Sequence, residues 1–289
     1  MLIIVGYVIV IFSVFGGFVL AGGSLGPLYQ PFEVLMIGGA ALGAFVAANN
    51  GKVMRATLNA AKNLKPTNNY NKALYLEVLT VLFELLQRMR REGMLAVERD
   101  IEAPEESPVF NDHPAILRDP MLVGFITDYI RLMISGNMKP HELDELMLHE
   151  IESFEQEAHS PADALFKVGD ALPAFGIIAA VMGVVRALTH ADADADVMGE
   201  MIAHALVGTF LGILAGYAFV NPVASRIERQ VDEGVKMLHC IRVTLLASLN
   251  GYAPQIAVEF GRKTLDSEER PGFTELEDYV RGVGSGAGE

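Results

Sequence analysis

Residues 201–220 read MIAHALVGTFLGILAGYAFV, twenty positions without an Asp, Glu, Lys or Arg. An α-helix needs about 20 such residues to cross a hydrocarbon core roughly 30 Å thick. Three further windows have the same character: 1–20, 32–48 and 171–188, none with a charge near its centre. The first lacks the basic leader and small-residue cleavage site of a secretory signal, so it reads as a retained helix. The chain is 51% hydrophobic yet carries a formal charge of −14. One soluble domain seldom combines these properties, but a chain whose apolar residues lie in membrane helices and whose acids lie in water does. The pattern is that of an all-α membrane protein with four transmembrane helices and a large helical cytoplasmic region.

The basic residues orient it. Of 22 Lys and Arg, 13 fall between Lys52 and Lys167 and eight follow Pro222, whereas connectors 21–32 and 189–200 have none. Lys52, Arg55, Lys62, Lys65, Lys167, Arg226 and Arg229 flank the spans and place both large polar segments, and both termini, in the cytoplasm of the inner membrane. The remaining one, Arg186, sits near an outer end, where its stem can snorkel to the interface. The expected organisation is a hairpin of spans over 1–50, a cytoplasmic helical domain over 51–169, a second hairpin over 170–222, and a cytoplasmic helix with a flexible tail over 223–289. Cys240 is the only cysteine, which excludes an intrachain disulfide and suits a buried free thiol.

Within the polar region, Leu74, Val78, Val81, Leu82, Leu85, Leu86 and Met89 recur at spacings of three and four, predicting a helix over about 70–91 with Glu77, Glu84, Arg88 and Arg91 on its far face. Helices are also expected over about 121–134 and 140–158, the latter opened by Pro140. Ile227, Val231, Val235, Leu238, Leu245 and Leu249 extend the fourth span into a long helix reaching about 250, its stripe broken only by Arg242. The Gly-rich tail from Gly282 is expected to be disordered.

In lipid, close helix contact depends on small residues. The fourth span offers Gly208, Gly212 and Gly216, the third Gly176, Ala180 and Gly183, and the second Gly39 and Gly43. Ionisable groups are scarce: Glu33 and Asp170 lie at span ends, Arg186 and His204 near the outer surface, and only the hydroxyl of Thr209 lies deeper. Coupling an ion to work needs a carrier in the membrane, so any carboxylate carrier must come from a partner chain. His204 fits either a proton relay or an interfacial histidine. Asp170 fits either an inner proton acceptor or the cap of the third span.

Catalytic signatures are absent: His141 and His149 have no second histidine four residues on, and neither GxSxG nor a P-loop occurs. Asp192, Asp194 and Asp196 lack the Gly and Glu of a calcium loop. No enzyme activity, cofactor, metal or nucleic-acid partner is expected.

The segments GGSLGPLYQPFE (22–33), NNGK (49–52), VERDIE (97–102), LPAFGIIAAVMGVV (172–185), HALVGTFLGILAGY (204–217) followed by NP, LNGYAPQIAVEFGRKTL (249–265) and ERPGFTELE (269–277) resemble the A subunits of flagellar motor stators, within the MotA/TolQ/ExbB proton channel superfamily. The resemblance runs from Met1 to about Tyr279. It implies a homo-oligomeric ring of A subunits, set in membrane lipid around B subunits whose transmembrane helix supplies the ion-carrying aspartate, and pushing on the rotor switch protein FliG. By the same resemblance, Arg90 and Glu98 are rotor-contacting, with Arg88 and Arg91 able to share the part of Arg90. Pro173 and Pro222 are the conformational coupling residues. Sodium-driven relatives carry hydroxyls at positions matching Ala180 and Gly208, so the ion expected here is a proton, travelling past Ala180 and Thr209 and leaving near Asp170. The alternative is an energising subunit similar to ExbB and TolQ, whose members usually have three spans.

Overall fold

The computed structural model describes residues 2–62, 70–190 and 194–285, with side chains through Val280. Among the described residues every regular element is helical. Two units emerge, 1–66 with 158–229 and 67–157 with 230–289.

The first unit begins with α1 (Leu2–Ile11), a π-helical turn (Phe12–Gly16) and α2 (Gly17–Leu20), followed by α3 (Pro31–Ala48) and α4 (Gly51–Lys62). The second holds α5 (Lys72–Glu92), α6 (Glu98–Glu102), α7 (Pro108–Asn111), α8 (Pro114–Leu117) and α9 (Pro120–Ser135). Helix α10 (Pro140–Leu188) contributes to both units, as does α12 (Asn221–Leu249). Between them lie α11 (Ala195–Ile213) and a second π-helical stretch (Leu214–Val220); α13 (Pro254–Thr264) and α14 (Phe273–Ser285) complete the chain.

Four helical runs are long and apolar enough to cross a membrane: Leu2–Leu20, Gly26–Ala48, Pro140–Leu188 and Ala195–Leu249. They contain the four apolar windows of the sequence, save for Met1, which lies outside the described residues. The first buries no residue within the chain. Leu2, Phe12 and Leu20 are each more than two-thirds exposed, an apolar surface suited to lipid or to neighbouring protein.

Three features differ from the sequence-based expectation. The helix expected to end near 158 instead runs unbroken for 49 residues, through Pro161 and Pro173. Proline removes one hydrogen bond and crowds the carbonyl four residues back, but the turn after Pro161 is held by Ala162 and Ala164, both fully or almost fully buried. The second span buries Glu33, Ile37 and Ala41, one residue per turn. Gly39 and Gly43 lie off that line, with no atom of the described residues within 4 Å of a Cβ at either, so the close packing expected of them does not occur among the described residues. Finally, α14 carries the chain helically to Ser285, because buried Leu276 and Val280 anchor it. The disorder expected from Gly282 therefore does not begin there, and residues 286–289 lie outside the described set, as do Lys65 and Asp192.

The second unit is built on α5. Its predicted stripe is buried in full, but Leu76, Leu79, Thr80 and Phe83 are buried as well. Neighbouring helices thus cover much of the face read as solvated. Burial raises the Glu84 carboxyl above the usual carboxylate range, with Asp112 adding and Arg88 opposing. Burial also lowers the His113 imidazole, which lies 4.0 Å from Glu77. Arg242, which interrupts the stripe of α12, meets Asp144 at 2.7 Å. Tyr129 donates to Glu150 at 2.6 Å, tying α9 to the start of α10. Cys240 is a free thiol, buried and pushed up to about 12. Gly261 brings α13 against it, since a methyl there would meet Sγ at 3.2 Å.

Candidate functional site

Small residues of α10 and α11 form an antiparallel seam in which backbone meets backbone. A Cβ added at Gly176 would lie 2.7 Å from the Gly208 carbonyl and 3.2 Å from Thr209 Cα. One added at Gly212 would meet the Leu172 carbonyl at 2.6 Å, and one at Gly183 would meet Ala205 Cβ at 2.6 Å. Ala180 lies between Gly176 and Gly183 along this side of α10 and is buried, whereas Thr209 is half-buried. Such approach replaces side-chain packing with dispersion and weak Cα–H···O contacts, the usual glue of helices in lipid. Thr209 thus stands at the seam, opposite Gly176, whereas the α10 alanine that faces Gly208 is Ala179, 3.2 Å from the position of a Cβ there, with Ala180 the next residue along.

The two prolines act on the same helix pair. Pro173 leaves the Gly169 carbonyl without its intrahelical amide, and that carbonyl lies directly against Gly216, with Pro173 Cδ 3.2 Å from the position of a Cβ there. Pro222, which has no amide to donate, directly follows the π-helical stretch Leu214–Val220. Within that stretch, the Phe219 carbonyl accepts from Tyr7 Oη at 2.7 Å. A widened turn and a side-chain donor are the means by which a membrane helix tolerates proline.

Asp170 is exposed and accepts from Asn221 Nδ2 at 3.1 Å. Because α10 runs straight through this position, no helix begins there, and the capping role considered for Asp170 is excluded. Asn221 Oδ1 is buried without a partner among the described residues. The sequence reading missed Asn221, although it precedes Pro222 in the quoted NP pair.

Glu33 was placed at a span end, and its backbone is in the first turn of α3. Its carboxylate is nonetheless buried, 8% exposed, with Oε2 2.7 Å from where a Cβ on Gly208 would be. His204 Nε2 lies 3.8 Å from Glu200 Oε1.

In the second unit, Arg90 and Glu98 are both exposed and flank one turn. Gly93 makes that turn at φ +98°, a backbone region in which a side chain is strained. Arg88 donates to Asp100 at 2.8 Å, and Ser107 donates to the other carboxylate oxygen at 2.6 Å. Asp100 is buried and Arg88 is committed to it, so Arg90 and Arg91 remain as the outward guanidinium groups. Removing Arg88 as Arg88→Ala is expected to lower stability by about 2 kcal/mol, less than for a fully buried pair because Arg88 is partly solvated. Thermal unfolding of the purified protein checks this.

A seam of small residues flanked by helix-breaking prolines, in a chain with four apolar runs long enough to cross a membrane, is the build of a helical membrane protein. Residues 119–239 match the MotA/TolQ/ExbB proton channel family, and residues 4–93 match the motility protein A N-terminal family. Motility protein A of Salmonella typhimurium is 54% identical over 283 residues, covering 98% of this chain and 96% of the relative; that of Escherichia coli is 53% identical with the same coverage. The chain belongs to the motility protein A family. It shares its fold with the flagellar MotAB stator complex from Bacillus subtilis, at TM-score 0.74 and 24% identity over 92% of this chain and 96% of that one.

Proposed function

We propose that this chain is the A subunit of a flagellar stator in the bacterial inner membrane, with both termini cytoplasmic. It assembles as a ring around B subunits, whose membrane carboxylate carries the proton. The observation that carries this reading is the seam itself: the residues at which α10 and α11 meet, Gly176, Ala179, Gly208 and Gly212, contribute no charged side chain of their own. Thr209 is the polar side chain beside it. A carboxylate arriving from a partner helix would be strongly disfavoured against this apolar wall while ionised, and far less so once protonated. Protonation therefore frees it to move, and each crossing advances the ring. The membrane potential contributes about 2.3 kcal/mol per charge per 100 mV, enough to bias states separated by a few kcal/mol.

In this scheme Asp170, bonded to Asn221 beside Pro222, receives protons at the inner mouth. Pro173 and Pro222 are the points at which α10 and α12 bend, and Arg90 and Glu98 contact the rotor protein FliG. The match of residues 4–93 to motility proteins favours the stator over an ExbB- or TolQ-like subunit.

The test is Thr209→Leu in the full chain together with its B subunit. A bulky apolar group beside the seam is expected to cut proton uptake by about tenfold, equivalent to about 1.4 kcal/mol in barrier, with assembly preserved. Uptake equal to that of the unsubstituted complex would place the route elsewhere.

A further inference from the structure

An ionised carboxylate buried without a partner is costly, and in practice such a group takes up a proton or is held for a task. Glu33 is this kind of group. It is the only charged residue in α3. An acid in a first turn is favoured by the helix dipole, which accounts for its position in sequence but not for its burial. Its Oε2 has no hydrogen-bond partner among the described residues and lies over Gly208, where the missing side chain leaves the space it occupies.

Glu33 also lines a cavity of about 530 Å³ between the start of α3, the end of α10 and the start of α11, large against the roughly 30 Å³ that a water molecule takes in the liquid. The other ionisable groups lining it are Arg186 from α10 and Glu200 and His204 from α11. Glu200, His204 and Gly208 are spaced at i, i+4 and i+8, so they descend one side of α11 in steps of about 6 Å. The first two already lie within 3.8 Å of each other, and Glu33 fills the third level. That level is the one at which Thr209 follows Gly208.

We propose that Glu33 is a proton-relaying carboxylate between this outer cavity and the seam, a role that rests on the proton-conducting reading given above. His204, protonated by hydronium from the outer side, passes its proton through cavity water to the Glu33 carboxylate, leaving a neutral imidazole and a neutral acid. Glu33 then gives the proton to the partner chain's carboxylate and returns to its ionised form. Arg186 stays charged throughout and offsets that returning negative charge.

The experiment compares proton uptake, read by an intracellular pH reporter, in cells expressing the full chain with its B subunit. Glu33→Gln keeps the shape and removes the exchangeable acid; uptake is expected to fall on the order of tenfold, with cavity water carrying the remainder. Glu33→Asp is expected to keep most of the uptake, and acidifying the outer medium to restore part of what Glu33→Gln loses. Uptake through Glu33→Gln equal to the unsubstituted complex overturns the relay. So does an equal loss in Glu33→Gln and Glu33→Asp that outer acid leaves unchanged, since that marks a purely structural carboxylate. Should Glu33→Gln fail to assemble, the infrared band of a buried carboxylic acid in the purified complex decides. A band that shifts in Glu33→Asp supports the relay, and one that does not move overturns it. If the unsubstituted complex shows no uptake dependent on the B subunit, the stator reading itself fails and takes the relay with it.

Discussion

Gly212→Leu is expected to abolish motility by preventing α10 and α11 from closing. The added Cβ alone would stand 2.6 Å from the Leu172 carbonyl and 2.9 Å from Gly176 Cα, and both obstacles are backbone, which cannot turn aside as a side chain can. Overpacking usually costs 1–3 kcal/mol; with a branched side chain driven into a backbone contact, about 3 kcal/mol or more is expected here. The readouts are co-purification with the B subunit and swimming in soft agar. Gly39→Ala is the matched control, since nothing lies within 4 Å of a Cβ there, and it is expected to leave the folding of the chain itself unchanged. Equal loss in both variants would deny the seam its special status.

The second large effect concerns Arg90. Arg90→Glu is expected to leave proton uptake intact while reducing rotation severely, because on the proposed assignment it reverses a charge presented to the rotor and changes nothing in the first unit. Opposing like charges across a contact costs several kcal/mol and slows encounter, so torque should fall far more than conductance, and raising ionic strength should soften the defect. Arg88→Glu should differ in kind. By repelling Asp100 it should destabilise the protein, lowering its unfolding temperature as well as its torque. Single-motor rotation and proton uptake measured on the same strains separate the two. A parallel fall in uptake and rotation for Arg90→Glu would show that Arg90 is not a rotor contact.

The spans and the main stripe of α5 were legible because each depends on hydrophobic periodicity, which chain-local physics sets. Residues 201–220 could scarcely do anything but cross a membrane, and Val78, Val81, Leu82 and Leu85 are fully buried. What escaped the sequence was settled by neighbours. Glycine spacing alone did not separate Gly212, packed against backbone, from Gly43, with nothing beside it. The distinction depends on which side of a helix meets another. The helix expected to end near 158 continues as α10 through Pro161 and Pro173, because adjoining packing holds its turns in line. Arg88, Arg90 and Arg91 look equivalent as text, and only Asp100, brought back by the Gly93 turn, distinguishes the first. Glu33 seemed peripheral because its backbone is; the depth of its carboxylate was decided by an absent side chain on another helix. A polar residue in the first turn of an apolar helix was the available signal, and it gives no depth.

The glycine and alanine seam has a thermodynamic consequence. Ordering a long side chain forfeits up to about 2 kcal/mol of rotamer entropy, whereas glycine and alanine forfeit none. Bringing α10 against α11 therefore freezes almost no torsional freedom at the contact, and the adhesion there is nearly pure short-range dispersion. Such an attachment is intolerant of one extra methyl group but insensitive to side-chain disorder, so warming should loosen it less than it loosens the leucine-rich core around α5.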